Sequence, residues 1–265
     1  MKQKLMTAII VMMAALLLVT PALAITFGEL DGERHPNVGA LLVAYPYPAG
    51  TIDIVCTGTL ISPTVFLTAA HCIDWLPAIG VPADGVYVTF DSVYEVGTST
   101  IYPGTYYLNP NFGHDNGDLN DVAVIVLDNP ITHIAPASLP PAGLLDELKA
   151  SGALKDQPFV TVGYGTVRDD KTGGFHALYW EGARRFATGT YLALTKSWLQ
   201  ISMNPSTGDG GTCYGDSGGP HFLGASDVVV SVTVTGDTPC RATDLTYRMD
   251  TPSARAYLAN FVNLP

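Results

Sequence analysis

Three separate segments carry side chains that together could perform nucleophilic catalysis. His71 lies in the string LTAAHC, Asp121 opens the apolar run Val122–Leu127, and Ser217 lies in the string CYGDSGGP. A serine hydroxyl is a weak nucleophile that needs a general base, and an imidazole base needs an acidic group to orient it. The three residues therefore form a complete set for attack on a carbonyl carbon.

The glycines beside Ser217 favour the same chemistry. Gly215, Gly218 and Gly219 permit a tight turn that presents backbone N–H groups next to the hydroxyl, which is what a developing oxyanion requires. Taken singly, the three segments have simpler interpretations: a structural histidine, an aspartate at the start of a strand and a plain glycine-rich turn. Their combination favours catalysis.

Strands are predicted to position these side chains. Short runs of β-branched and aromatic residues are separated by Gly, Pro, Asn and Asp, and strands do not alternate regularly with helices, so the fold class is all-β. Helical patterns are confined to Pro141–Ala150, Ala69–Leu76 and Pro252–Val262, while residues 134–143 are predicted to connect two halves and residues 109–120 to form a surface loop. The predicted strands are Ala40–Ala44, Val55–Leu60, Thr64–Thr68, Val86–Phe90, Val122–Leu127, Phe159–Gly163 and Val228–Val234.

The amino-acid composition and net charge of the chain disfavour some classes of binding partner. The 265 residues are 47% hydrophobic and 14% charged, so the chain has enough apolar surface for a folded core. A net charge of −11 disfavours binding to nucleic acid or to an anionic membrane surface, because both rely on positive side chains.

Residues 1–24 have the three parts of a secretory signal peptide. Lys2 and Lys4 precede the uncharged run Ala8–Val19, and a small-residue motif ends at Ala24. A membrane-spanning helix needs about 20 apolar residues, so this run is short for one, and an uncleaved anchor is the alternative. Cleavage after Ala24 predicts an exported mature chain over residues 25–265, either extracellular or periplasmic.

Four cysteines would be oxidised after export. They allow three disulfide connectivities, of which we favour the pairs that are close in sequence, Cys56 with Cys72 and Cys213 with Cys240. A zinc site at Cys72 and His71 is the alternative, but the chain lacks any C-x-x-C spacing.

In the order His, Asp, Ser, these motifs resemble those of the chymotrypsin/trypsin-like serine proteases. The string FVTVGYG at 159–165 is similar to the strand that opens the second barrel of that family, and Ile25 is similar to its mature N-terminus. The resemblance implies two antiparallel six-stranded β-barrels with a C-terminal helix. The first barrel would span about 25–135, the second about 145–250 and the helix about 252–262.

The resemblance also implies a role for each site residue. His71 would act as general base and then general acid, Asp121 would orient the imidazole, and Ser217 would attack the carbonyl. The backbone N–H groups of Gly215 and Ser217 would form the oxyanion hole. The favoured cysteine pairs fall where the family has disulfides. Protein or peptide substrates and a monomer are expected, with no cofactor and no metal.

Substrate preference follows from the pocket positions that the resemblance implies, Gly211, Thr212 and Gly236. Trypsin-like members carry an acidic residue where Gly211 stands, and burying a cation without a partner is costly. We therefore expect cleavage after neutral residues, apolar or aromatic, unless a shifted loop brings in Asp209. The strand Val230–Gly236 departs from the family in lacking its usual Ser-Trp-Gly.

Activation in the family depends on a newly formed α-ammonium of Ile or Val that pairs with the Asp before the catalytic Ser. Signal cleavage after Ala24 would expose Ile25, and Asp216 would be its partner. Export and activation are therefore predicted to be one event.

Two other classes of protein are alternatives to a chymotrypsin-like protease. The string GDSGG also satisfies the G-x-S-x-G motif of α/β-hydrolases. In those enzymes the catalytic histidine comes last in the chain, after the serine and the acid, and His221 is too close in sequence to Ser217 to be that histidine. A catalytically inactive relative that binds partners is the second alternative.

Alternating oxygen ligands at His114–Asn120 could suggest a calcium site. They lack the spacing of an EF-hand loop, which favours a solvated loop instead.

Overall fold

The computed structural model describes residues 25–46, 51–115, 117–168 and 178–265. The predicted signal peptide at 1–24 lies outside the described residues. Within them, no helix has the length and the apolar run that crossing a membrane would require.

The first half of the chain forms a closed six-stranded antiparallel barrel. The strands are β1 (Glu29–Leu30), which lies outside this barrel, β2 (Val38–Tyr45), β3 (Thr51–Ser62), β4 (Val65–Thr68), β5 (Val86–Thr89), β6 (Tyr102–Leu108) and β7 (Ala123–Leu127). Their order around the barrel is β2-β3-β4-β7-β6-β5, and pairing of β2 with β5 closes it. Apolar side chains fill the interior around Phe66.

The second half forms a second six-stranded antiparallel barrel. The strands of this half are β8 (Pro158–Gly163), β9 (Val167–Arg168), β10 (Leu178–Tyr179), β11 (Arg185–Leu194), β12 (Trp198–Ser202), β13 (Pro220–Leu223), β14 (Val229–Gly236) and β15 (Thr243–Arg248). The order around the barrel is β8-β11-β12-β15-β14-β13, and β13 pairs with β8 to close the ring. Strand β1 pairs with β11, and β9 pairs with β10 in a separate two-stranded sheet. The prediction of an all-β fold with two barrels is confirmed.

The α-helices of the described residues are short and lie outside the barrels. They are α1 (Leu144–Ala150) and α2 (Pro252–Leu258). Helix α2 begins where Thr251 Oγ1 accepts a hydrogen bond from the Ala254 N–H, and Pro252 fits its first turn because that turn needs no donor. Only 3₁₀ turns form where a helix was predicted over Ala69–Leu76, at Ala70–Cys72 and Leu76–Ile79.

The two barrels share an apolar interface. Val38, Val65 and Val122 of the first barrel pack in one buried cluster with residues of the second barrel such as Val229, and Leu258 of α2 joins them. The C-terminal helix therefore covers the seam between the barrels.

A fully buried arginine also joins the barrels. Arg184, just before β11, donates from Nε to Asp31 Oδ2 at 2.8 Å and from Nη1 to the carbonyl oxygens of Phe90 (2.9 Å) and Val38 (3.0 Å). Burial alone would raise the pKa of Asp31, but hydrogen bonds from His35 and Arg184 hold it below the usual value. We call Arg184, Asp31 and the groups they bind the inter-barrel joint.

Candidate active site

The pairing of β4 with β7 places His71 beside Asp121. Thr68 at the end of β4 is opposite Ala123 at the start of β7, so the residues just beyond this end of the two strands lie side by side. Nδ1 of His71 lies 2.8 Å from Asp121 Oδ2, and the backbone N–H of His71 donates to Oδ1 at 2.9 Å. Because the carboxylate only accepts, Nδ1 carries a proton and Nε2 is left to act as a base.

The segment before Asp121 is anchored to the second barrel. The carboxylate of Asp118 accepts hydrogen bonds from Tyr247 Oη at 2.7 Å and from Ser253 Oγ at 2.6 Å. Asn120 has a φ of 56°, which turns the chain sharply into Asp121. The predicted surface loop thus has a buried end, since Asp118, Asn120 and Asp121 are all buried.

Ser217 lies on the tight turn between Cys213 and Pro220. Gly215 and Gly218 have φ values of 98° and 78°, which L side chains rarely adopt. The turn is fixed to both barrels: the carbonyl of Ser217 accepts from the Thr57 N–H at 2.9 Å, and the Gly218 N–H donates to Thr233 O at 2.8 Å. Cys72, next to His71, has its Sγ 3.7 Å from the Ser217 carbonyl oxygen.

The structure thus brings Ser217 to the first-barrel segment that holds His71. In the described part of the chain, the Ser217 hydroxyl makes no hydrogen bond to the imidazole. Such bonds are often loose in free enzymes and tighten when substrate binds.

Two donors beside Ser217 are unused. Among the described residues, the backbone N–H groups of Gly215 and Ser217 donate to no protein acceptor. The ring of Trp180 lies so close to Gly215 that a Cβ atom on this glycine would be 2.7 Å from Trp180 Cζ3. The two N–H groups are therefore available to an incoming oxygen atom.

A cavity of about 230 Å³ opens next to Ser217. Thr212 and Gly236 line it, whereas Gly211 is buried beneath Met203, whose Cβ lies 2.5 Å from where a Gly211 Cβ would be. The residues that line it within the described part of the chain are Met203, Thr212, Cys213, Tyr214, Ser217, Thr233, Val234, Thr235, Gly236, Asp237, Thr238 and Cys240. Sequence reasoning missed Met203, because nothing in its local pattern links it to Gly211.

Two acidic side chains near the cavity are already engaged. Asp209 does not line it, and its Oδ2 accepts from the hydroxyls of Thr190, Ser202 and Thr207. Asp237 does line it, and its carboxylate accepts the backbone N–H groups of residues 241, 242 and 243.

The chain matches a known protein family over most of its length. The family model described as Trypsin matches residues 36–258, which includes His71, Asp121 and Ser217. The chain belongs to the trypsin family. It is accordingly a serine endopeptidase. It is also similar to "Venom plasminogen activator Haly-PA" from Gloydius brevicauda, with 27% identity over 200 residues, covering 71% of this chain and 69% of that protein.

As in the favoured pairing, the disulfides of this trypsin-family chain join Cys56 to Cys72 and Cys213 to Cys240. The first lies next to His71 and the second borders the cavity. The sulfur atoms of Cys56 and Cys72 lie close enough to His71 to suggest a metal site, but disulfide sulfurs are not thiolate ligands. These residues therefore do not fit the zinc site that was the alternative.

Asp216, the predicted partner of Ile25, is fully buried. Its carboxylate accepts from the N–H groups of Gly165 at 2.7 Å and Cys213 at 2.8 Å. Burial raises its pKa to about 7 despite these hydrogen bonds, and the nearby Asp244 adds to the rise. Ile25 is buried too. Its neighbour Thr26 forms an antiparallel β-bridge with Gly211, which precedes Asp216 by five residues.

Proposed function

We propose that this trypsin-family endopeptidase hydrolyses peptide bonds through an acyl-enzyme on Ser217. The observation that carries the proposal is the His71–Asp121 hydrogen bond of 2.8 Å at the end of the first barrel, beside the glycine-rich turn that holds Ser217. An imidazole that is fixed through Nδ1 has its Nε2 lone pair available to take the serine proton.

The reaction follows from these positions. Nε2 of His71 takes the proton of the Ser217 hydroxyl as Oγ attacks the carbonyl carbon, and the buried Asp121 carboxylate stabilises the imidazolium. The N–H groups of Gly215 and Ser217 bind the oxyanion. The imidazolium then protonates the leaving amine, and water releases the acyl group by the same steps.

We further propose that the residue before the cleaved bond can be neutral, apolar or aromatic. Met203, Val234 and the Cys213–Cys240 disulfide contribute apolar surface to the cavity. Among the described residues that line it, Asp237 carries the one carboxylate, which accepts hydrogen bonds from three backbone N–H groups.

We also propose that the chain is exported and that removal of residues 1–24 activates it. The charged start, apolar run and small-residue end of this segment support the first point. The buried, raised-pKa carboxylate of Asp216 supports the second, because a new ammonium at Ile25 would supply its missing counterion.

A fluorophosphonate probe tests the catalytic proposal, because it reacts only with an activated serine. We expect one adduct per mature chain, mapped to Ser217, and loss of both labelling and peptide cleavage in Ser217→Ala. Ser226→Ala, which changes an exposed serine, is the matched control and should label like the parent. A properly folded parent that is not labelled would support the alternative of an inactive relative that binds partners.

A further inference from the structure

Thr57 is a buried residue of β3 whose polar groups contact segments of the candidate active site. Its backbone N–H donates to the Ser217 carbonyl at 2.9 Å. Its carbonyl oxygen accepts from Thr68 Oγ1 at 2.8 Å, three residues before His71. Its hydroxyl donates to the Gly215 carbonyl at 3.0 Å, although Gly215 lies 158 positions further along the chain. A residue of the first barrel therefore supports the turn that holds Ser217.

A second hydrogen bond fixes the direction of the Thr57 hydroxyl. The backbone N–H of Tyr164 donates to Thr57 Oγ1 at 3.1 Å, so the oxygen acts as an acceptor there. A threonine hydroxyl has one proton, and the Gly215 carbonyl is the acceptor that receives it. Because Thr57 is fully buried, water does not compete for this proton.

A second threonine holds the preceding peptide group. The carbonyl of Tyr214 accepts two hydrogen bonds from Thr166, one from its backbone N–H at 2.7 Å and one from its Oγ1 at 2.9 Å. A trans peptide group is planar, and its C=O and N–H point in opposite directions. Fixing the Tyr214 carbonyl therefore fixes the direction of the Gly215 N–H, which is one of the two donors proposed to bind the oxyanion.

Gly215 needs this support because it has no side chain to restrict it. Its φ of 98° is a region open chiefly to glycine, and a glycine rotates its flanking peptide groups at little steric cost. A Cβ atom here would be 2.7 Å from Trp180 Cζ3 and 3.1 Å from Gly165 Cα, so the site has no room for a stiffer residue. Hydrogen bonds to the carbonyls on both sides of Gly215 supply the restraint instead.

We propose that the hydroxyls of Thr57 and Thr166 are positioning groups for the oxyanion hole. They hold the two peptide groups that flank Gly215, so that its N–H already faces the place where negative charge develops. This inference rests on the proposed function and deepens it. Donors that need no reorganisation stabilise the transition state more than the bound substrate, so loss of either hydroxyl should lower kcat more than it raises KM.

The first test is steady-state hydrolysis of one chromogenic peptide with phenylalanine before the cleaved bond. Thr57→Val keeps the shape of the side chain and removes its hydroxyl. We expect kcat to fall about tenfold with KM changed by less than about twofold, against the roughly 10²- to 10³-fold loss when an oxyanion donor itself is removed. Thr57→Ser retains the hydroxyl and should recover most of the parental kcat.

Thr59→Val is the matched control on the same strand. The Thr59 side chain is also buried, but among the described residues its hydroxyl makes no hydrogen bond. This substitution should leave both kcat and KM at their parental values.

A transition-state analogue provides the second test. Ser217 Oγ adds to the ketone carbon of a peptide trifluoromethyl ketone, the serine proton moves to His71, and the former ketone oxygen carries the negative charge. The corresponding peptide alcohol binds without forming that charge. Thr57→Val should weaken binding of the ketone by about the factor lost from kcat/KM and leave binding of the alcohol unchanged. A change in stability alone would not separate the two ligands.

Thr166→Val serves if Thr57→Val does not fold, since Thr166 is only partly buried and its backbone N–H still binds the Tyr214 carbonyl. It should lower kcat by a smaller factor. Parental kcat in every folded valine variant of these two residues would overturn the proposal, as would an equal loss of affinity for the ketone and the alcohol. Failure of the proposed function is distinguishable, because the parent would then neither cleave the peptide nor be labelled at Ser217.

Discussion

The proposed pairing of Asp216 with a new α-ammonium at Ile25 would make the stability of the processed protein depend on its first residue. The Asp216 pKa of about 7, against an ordinary 3.8, means that ionising this carboxyl in the folded chain costs about 4 kcal/mol. The folded state binds this proton more tightly than the unfolded state, so stability is lost as pH rises from 3.8 to 7 and stays lowered above that. An α-ammonium at Ile25 would offset the cost.

The experiment compares the chain that begins at Ile25 with the same chain carrying an added Met ahead of it, both with Ser217→Ala to prevent self-digestion. At pH 7.5 the form that begins at Ile25 should be more stable by up to about 4 kcal/mol, or roughly 8–16 °C in Tm for a domain of this size. At pH 4 the difference should fall below about 1 kcal/mol, because Asp216 is then protonated in the extended form. It should also fall well above pH 8, where the α-amino group loses its proton.

Thermal unfolding followed by circular dichroism measures both forms. The control is Asp216→Asn, which should abolish the difference at every pH. Equal Tm values at pH 7.5, or a difference that does not change with pH, would refute the pairing of Ile25 with Asp216.

Three further substitutions test other parts of the structure. Asp121→Asn should lower kcat by roughly 10³- to 10⁴-fold with little change in Tm, because an amide N–H2 facing Nδ1 of His71 favours the wrong tautomer; steady-state kinetics decide, and unchanged kcat would contradict the assigned role. Arg184→Met should cost about 3–5 kcal/mol in urea unfolding, since it leaves Asp31 buried without its cation, and a loss under 1 kcal/mol would contradict this. Gly218→Ala should reduce both Tm and fluorophosphonate labelling, because a Cβ at this positive φ would lie 2.6 Å from a carbonyl oxygen of the first barrel; parental labelling at the parental rate would argue against a tight turn.

Sequence patterns were most informative where strands are apolar on their buried face. The runs at Ala40–Ala44 and Phe159–Gly163 correspond to β2 and β8, because continuous apolar stretches mark buried strands. The glycine-rich string around Ser217 was equally clear, since the turn it forms needs those glycines.

Strands with buried polar or irregular residues escaped prediction. Strand β15 carries Asp244 and Arg248, which are both buried and hydrogen-bonded to residues distant in the sequence, so its pattern is not that of an apolar strand. Strand β6 contains Pro103 and Gly104, which ordinarily argue against a strand. Hydrogen bonds to residues distant in the sequence stabilise both strands, and such bonds cannot be inferred from the local sequence.

The candidate site divides in the same way. The residues of the His, Asp and Ser motifs stand out because their neighbours are distinctive, whereas Met203 lies just after β12 in an unremarkable stretch. Its place in the cavity lining comes from the tertiary fold, which packs its side chain against Gly211. No property of its neighbours in the sequence predicts that contact.

The inter-barrel joint is expected to affect how well this protein resists proteolysis in solution. Arg184 and Asp31 are separated by 153 positions, so their contact closes a long loop, and the entropy cost of that closure must be offset by other contacts of the folded chain. Proteases digest neighbouring chains through partly opened states, and the population of those states sets the rate when reclosing is fast. Because Asp31 lies only a few residues beyond Ile25, opening of the N-terminal segment requires the buried ion pair to separate. The lifetime of the enzyme among copies of itself is therefore expected to depend on a contact in which none of the proposed catalytic residues takes part.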